Sequence, residues 1–430
     1  MGEGVLTAGF HRRDGVLACD DVSLTSVAAA VGTPVYVYSA TAVRAAYARL
    51  ASALAGLPVH IHYAMKANSN LALLAIVRAC GGGVDVVSSG ELHRAVLAGF
   101  GGADIVFAGV GKTRAEMEHG LQIGVRCFNV ESEEELELLS AVAAARGVVA
   151  PVALRINPGV GDVTAAHAYI ATGEEGTKFG IAIDRGVAVA ARAAALPGIA
   201  LVGLDMHIGS QIGDVNAFAD AQRRLRGLLE AVRASGITTV TTVDVGGGFP
   251  IAYHDGEPAA DLDAFAAVLR DTFGDAGVDI IVEPGRFLVA DAGVMLTAVL
   301  YRKASGGTQF MVTDAGMNDL IRPSLYEAHH GIEAVLPTAA RPQVVNVVGP
   351  VCESGDFLAL DREMPDVGAG TLLAVRTAGA YGYVMSSNYN SRPRAAEVLV
   401  DGDRWGVVTA RETLDDLVRN ERAIPDWRGA

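Results

Sequence analysis

Only four of the 34 cationic side chains in this 430-residue chain are lysines, Lys66, Lys112, Lys178 and Lys303, so a reaction that needs a primary amine has four side-chain candidates. Lys66 sits in HYAMKANSN, directly after an apolar run, where an ammonium is costly unless it is paired or deprotonated. A lysine, unlike an arginine, can lose its proton in such a place and form a Schiff base with an aldehyde. The plain alternative is a strand-end lysine reaching solvent. Gly246, Gly247 and Gly248 follow another apolar run, and successive glycines expose backbone N–H groups that can cradle an anion. Glu283, in EPGR, could face a protonated ring nitrogen, or simply pair with Arg286. His207, in HIGSQ, could lay its ring against a planar cofactor, or serve as a satisfied structural residue. Amine, anion cradle, ring partner and stacking plane together suit pyridoxal phosphate better than a metal. The ten histidines include no HExxH or similar ligand spacing, and neither a GxSxG elbow nor a P-loop occurs.

Positioning such a set requires one repeated theme. Between about residues 55 and 285, eight short strand-like runs alternate with amphipathic stretches: 59–65, 84–88, 104–109, 127–131, 152–157, 201–209, 241–247 and 279–285. Several of the stretches between them open on a Ser, Asp or Asn cap and most end near Gly. Eight β-then-α units predict a (β/α)8 TIM-like barrel, with an open doubly wound sheet as the alternative. In such a barrel functional residues end the strands, and a phosphate often lies after strands seven and eight. Lys66, His207, the glycine triplet and Glu283 fall after runs one, six, seven and eight.

After about residue 290 the pattern changes to strand-like runs without long helices: 294–303, 309–316, 344–351, 372–381, 396–402 and 405–411, then a helical stretch near 411–420. This predicts a C-terminal all-β domain that also takes in the N-terminal segment. The expected division is a barrel over 40–290 and a β domain made of 1–39 and 291–430.

The apolar share of 51% excludes disorder, and a net charge of −15 argues against nucleic acid or an anionic membrane surface as the main partner. Cys19, Cys80, Cys127 and Cys352 form no Cys-x-x-Cys pair. The uncharged run 22–43 contains six hydroxyl residues and a central Gly32-Thr33-Pro34 break, which predict helix, turn and strand instead of a membrane span. MGEGVLTAGFHRRDG lacks the apolar core of a secretory signal. A reduced, cytoplasmic protein is expected.

HYAMKANSN, GVDVVSSGEL, GVGKT, FNVES, HIGSQI, DVGGG, EPGR, DAGMNDLIRPSLY, VVGPVCES, GAYGYVMSSNYNSRPR and AEVLVDG occur in an order that closely resembles the diaminopimelate decarboxylase family, from about residue 30 to 415. EPGR and the lysine motif are shared across the wider alanine racemase/ornithine decarboxylase fold group, whereas NDLIRPSLY, GPVCES and SSNYNSRPR are more specific. The resemblance implies decarboxylation of meso-2,6-diaminopimelate to L-lysine and CO2, acting at the D-centre, with pyridoxal 5'-phosphate as cofactor. It implies that Lys66 holds the cofactor and that Gly246, Gly247, Gly248 and Ser210 bind its phosphate. It places Glu283 at the pyridine nitrogen, with His207, Gly285, Arg286 and Tyr381 in the cofactor site. Arg286, Arg322 and Tyr326 would hold the distal carboxylate, Glu353 the distal ammonium, and Tyr381 both cofactor and substrate. Cys352 would return the proton after CO2 leaves. The resemblance also implies a homodimer in which the GPVCES loop completes the neighbouring subunit's site. Residues 158–173 depart from the family pattern, with two alanines between Thr164 and His167. The alternatives are a decarboxylase of ornithine, arginine or a carboxylated polyamine, which would want a lone carboxylate in place of Arg322, and a non-catalytic pyridoxal-binding regulatory relative.

Overall fold

The computed structural model of the protein describes residues 9–159, 176–425 and 427–428. The opening residues MGEGVLTA, and positions 160–173 of the departing loop, lie outside them.

Eight parallel strands close on themselves in the order Val59–Ala64, Gly83–Val86, Ile105–Phe107, Cys127–Val130, Ala150–Asn157, Ile199–Asp205, Thr242–Asp244 and Asp279–Val282, the eighth pairing back with the first. These are the eight runs read from the sequence. Their side chains are mostly apolar and buried, because one set fills the barrel and the other meets the surrounding helices, with Asp85, Asn129, Arg155, Asp205 and Asp244 among the buried polar exceptions. Each long helix buries a stripe. Helix Val215–Ala234 sinks Phe218, Ala221, Leu225, Leu228, Leu229 and Val232, the spacing of one face. Helix starts are fixed by side-chain caps, Asn70, Ser88, Thr113, Ser132, Asp214 and Asp261 each accepting a backbone N–H. Gly124 and Gly147 end two helices in the left-handed conformation that glycine adopts without strain.

The chain divides into two compact units, one spanning Ala40–Asp291 and the other Gly9–Ser39 with Ala292 onward. In the second unit the spine is strand Gly293–Ser305. Its first half pairs antiparallel with Val35–Ser39 and Leu372–Val375, its second half with Thr308–Thr313. Ala396–Asp401 and Arg404–Thr409 extend the sheet on one side, Pro342–Val348 and Phe357–Pro365 on the other. The N-terminal segment therefore enters the β unit as a central strand, and Phe10–Ser23 adds a small three-stranded sheet. The run 22–43 resolves into helix Leu24–Val31, a turn and strand Val35–Ser39. Among the described residues no helix is long and apolar enough to cross a membrane.

The elements that escaped the sequence pattern include three in the β unit. Phe357–Pro365 is an edge strand whose alternation is hidden by the charged run Asp361-Arg362-Glu363, and charges suit an edge that must not pair further. Ile332–Ala334 and helix Arg322–Tyr326 are too short to carry a period. The stretch near 411–420 forms only helix Leu414–Val418.

Candidate active site

The carboxyl-terminal mouth of the barrel gathers the residues that end its strands. Lys66 lies in the single turn Met65–Ala67 after the first strand, and its Nζ stands 3.4 Å from Asp85 Oδ2. The other lysines are placed differently. Lys112 is buried and donates to Glu135 Oε1 at 2.6 Å and to the carbonyls of Gly109 and Asn129. Lys178 lies over the Phe179 ring at 5.3 Å, and Lys303 is exposed on a strand of the β unit.

Behind Lys66 the barrel buries a concentration of carboxyls. Asp85, Asp205, Asp244 and Glu283 are all buried, with Arg155 held by Glu131 at 2.8 Å as their buried cation. Burial, reinforced by Asp244, Asp85 and Asp205, raises the Glu283 carboxyl well above the usual range. Burial and Asp244 do the same to Asp205, while burial pushes Asp244 up to about 6. Oxygens of Asp85, Asp205, Asp244 and Glu283 lack hydrogen-bond partners. Glu283 and Arg286 form no ion pair among the described residues. The guanidinium of Arg286 donates instead to Ser210 Oγ, from Nη2 at 3.3 Å, and to the Tyr253 hydroxyl. Like charges crowded at low dielectric disfavour one another's ionisation, which is the cause of the upward shifts of Glu283, Asp205 and Asp244.

The loops after strands six and seven are stitched together. Gln211 Nε2 donates to Ile251 O and Ile251 N–H returns to Gln211 Oε1, both at 2.9 Å, and Ile212 N–H reaches Gly248 O at 2.9 Å. Gly247 N–H donates to His207 Nδ1 at 3.2 Å, which orients the ring and leaves that nitrogen unprotonated. Burial first, then the charges of Lys66 and Arg155, keeps the His207 imidazole far below its ordinary value, hence neutral. The glycines allow this closeness. A Cβ on Gly247 would run into the carbonyl of Glu283, and one on Gly246, at φ +68°, would lie 2.6 Å from His207 Nδ1. Gly246 N–H is taken by Asp244 Oδ1 at 2.9 Å. The amides of Gly246 and Gly247 are thus spent inside the loop, whereas Gly248 N–H has no acceptor among the described residues. Gly285 packs against Ala64 and Ala67 beside Lys66, where a Cβ would come within 3.3 Å of each.

In the β unit, Arg322 is buried and its Nη1 lies 2.9 Å from His330 Nε2, while His330 Nδ1 donates to Arg376 O at 2.9 Å. That tautomer makes Nε2 an acceptor and aims the guanidinium. Tyr326 is half-buried at the end of the same short helix. Tyr381 is held at φ +56°, a conformation costly for an aromatic residue and common at functional sites. Cys352 is exposed, in contrast to the buried Cys19 and Cys127, and its backbone N–H donates to Asn390 Oδ1 at 2.7 Å. Glu353 Oε2 accepts from the Tyr389 hydroxyl at 3.2 Å. Asp356 organises this loop by accepting from Met317 and Val351 N–H groups, both at 2.6 Å.

Sequence reasoning missed Asp85, Asp205, Asp244, Gln211, His330 and Asp356. A charged residue inside an otherwise apolar strand was a usable signal for VDVV, GLDM and TVDV. His330, one of ten histidines without ligand spacing, carried no such signal.

The pyridoxal-dependent decarboxylase, pyridoxal binding domain, family matches residues 40–290. A diaminopimelate decarboxylase of Pseudomonas aeruginosa is 49% identical over 97% of this chain and 99% of its own length. One from Neisseria meningitidis serogroup A is 44% identical over 95% of this chain and 99% of its own. Among solved structures, a Helicobacter pylori diaminopimelate decarboxylase complexed with L-lysine shares 36% identity at a TM-score of 0.89, covering 92% of this chain and 98% of that one. The M. jannaschii enzyme in co-complex with L-lysine gives 35% and 0.91, covering 97% and 98%.

Proposed function

The chain belongs to the diaminopimelate decarboxylases, a branch of the pyridoxal-dependent decarboxylases, and from that membership we propose that it converts meso-2,6-diaminopimelate to L-lysine and CO2 with pyridoxal 5'-phosphate. The observation that carries the reading is the barrel mouth, where an amine, a neutral imidazole, an unengaged glycine amide and a buried carboxyl with raised proton affinity converge. These fit the cofactor. Glu283 Oε1 is a buried oxygen without a partner, as a ring nitrogen requires, and the loop around Gly248 admits no side chain. Pyridoxal phosphate, when bound, supplies the conjugated electron sink that accepts the charge left by the departing carboxylate.

Lys66 would hold the cofactor through its amine, which the neighbouring Asp85 side chain, 3.4 Å away, orients. Gly248 N–H and Ser210 hold the phosphate, with Gly246 and Gly247 shaping the turn. His207 stays neutral and lays its face beside the ring. Glu283, with Oε1 buried and without a partner, would face the ring nitrogen and share a proton with it. Gly285 allows the strand-eight loop to approach, Arg286 orients Ser210, and Tyr381 borders cofactor and substrate. Arg322, aimed by His330, and Tyr326 hold the distal carboxylate, with Arg286 contributing. Glu353 takes the distal ammonium and Cys352 returns a proton to carbon. Two subunits share each site, the GPVCES loop coming from the partner, and the protein works in the cytoplasm.

Selectivity supplies the test. Arg322→Lys retains the charge but loses the planar fork that a carboxylate accepts in bidentate fashion. The kcat/KM for diaminopimelate is expected to fall at least ~10-fold, about 1.4 kcal/mol of transition-state binding. Unchanged kcat/KM removes Arg322 from the substrate site.

A further inference from the structure

We propose that His330 is the positioning residue that makes Arg322 selective for a carboxylate, by holding its guanidinium with a neutral acceptor that leaves the positive charge for the ligand. This rests on Arg322 meeting the distal carboxylate, as proposed above. His330 is fully buried, and both ring nitrogens are engaged, Nε2 at 2.9 Å from Arg322 Nη1 and Nδ1 at 2.9 Å from Arg376 O. A guanidinium only donates and a carbonyl oxygen only accepts, so the ring carries its single proton on Nδ1 and presents a lone pair at Nε2. The residue is also fixed through its backbone. The Arg362 guanidinium donates to His330 O at 2.8 Å, and Arg376 N–H donates to Gly331 O at 2.8 Å. A Cβ on Gly331 would lie 2.6 Å from Arg376 Nε, so the chain after His330 rests directly on that side chain.

The use of a histidine has a chemical reason. Arg322 is itself buried, so the orientation of its fork decides which ligands it accepts. A carboxylate is the strongest acceptor for a guanidinium, but one placed here would neutralise the charge and compete with the ligand's own carboxylate. An imidazole lone pair directs the fork and adds no charge. The acidic side chain three positions on, Glu333, is engaged by Arg12 and lies 3.7 Å from Arg376 Nε.

The test titrates the holoenzyme at equilibrium with L-lysine and with cadaverine, the same diamine without the carboxylate. Wild type is expected to bind L-lysine at least ~10-fold more tightly than cadaverine, about 1.4 kcal/mol. Three substitutions separate position from charge. His330→Gln keeps a neutral acceptor near the ε position and should retain most of that preference. His330→Asn keeps a donor near the δ position, toward Arg376 O, but no acceptor for Arg322, and should lose it. His330→Glu keeps the acceptor but adds a charge that pairs with Arg322, and should lose it as well. Cadaverine affinity should change less than ~2-fold throughout, a separation that general loosening of the fold would not produce. The inference is overturned if His330→Asn or His330→Glu keeps the wild-type preference, or if His330→Gln falls as far as they do. An absence of preference in wild type instead overturns the placement of the distal carboxylate on Arg322, and the inference with it. Melting temperatures within the wild-type range confirm that each variant is folded. Should one variant fail that check, the other two decide.

Discussion

Replacing Lys66 by alanine is expected to abolish covalent retention of pyridoxal and to lower kcat by at least ~10³-fold, about 4 kcal/mol. The size follows from the absence of a substitute. Lys112 is locked by Glu135 and two carbonyl oxygens, Lys178 sits on Phe179, and Lys303 is exposed in the β unit. Only Lys66 projects beside Asp85 with its charge felt by both His207 and Glu283. Borohydride reduction of the wild-type holoenzyme, followed by peptide mass analysis, should place the pyridoxyl group on the Lys66 peptide. The variant should show none. A pyridoxyl group on Lys112, Lys178 or Lys303 in either protein would falsify the assignment.

The second large effect concerns assembly. Lys66 belongs to the barrel unit and Cys352 to the β unit, where Cys352 and Glu353 are exposed on a loop fixed by Asp356 and Asn390. Lys66→Ala and Cys352→Ala are each expected to be nearly inactive. If sites are shared across a twofold interface, unfolding and refolding the two variants together pairs an intact Lys66 from one chain with an intact Cys352 from the other. Half of randomly paired dimers are mixed and each regains one of its two sites, so activity should return to about a quarter of wild type. An inactive mixture, with mixed dimers demonstrated by mass, would show that each site draws both residues from one chain.

The barrel was legible because its eight runs are short, β-branched and buried on both sides, and because caps such as Ser88 and Ser132 mark where the helices begin. The β unit was legible where strands alternate, and opaque at Phe357–Pro365, where edge position and charge replace alternation. Among the site residues, Lys66 and Glu283 announce themselves by type at the ends of apolar runs. Arg322, Tyr326, Cys352 and Tyr381 do not, since an arginine, a tyrosine or a cysteine in a loop has many ordinary uses. Their candidacy came from resemblance; the structure places them as a buried guanidinium beside His330, an exposed thiol and a tyrosine at positive φ. The division of labour among the glycines was not legible at all. Three identical residues differ only in where their amides point, and that depends on Asp244 and His207, which lie two and forty positions from the amides they accept.

Release of CO2 by the purified holoenzyme from meso-diaminopimelate, ornithine, arginine and lysine, measured side by side, tests the central claim most directly. A site that pairs a distal carboxylate with Arg322 loses that ion pair when the substrate lacks one. Turnover is therefore expected with meso-diaminopimelate, with L-lysine as product, and kcat/KM for the other three should be at least ~10²-fold lower. Faster release from ornithine, arginine or lysine, or no release from any of the four, would contradict it.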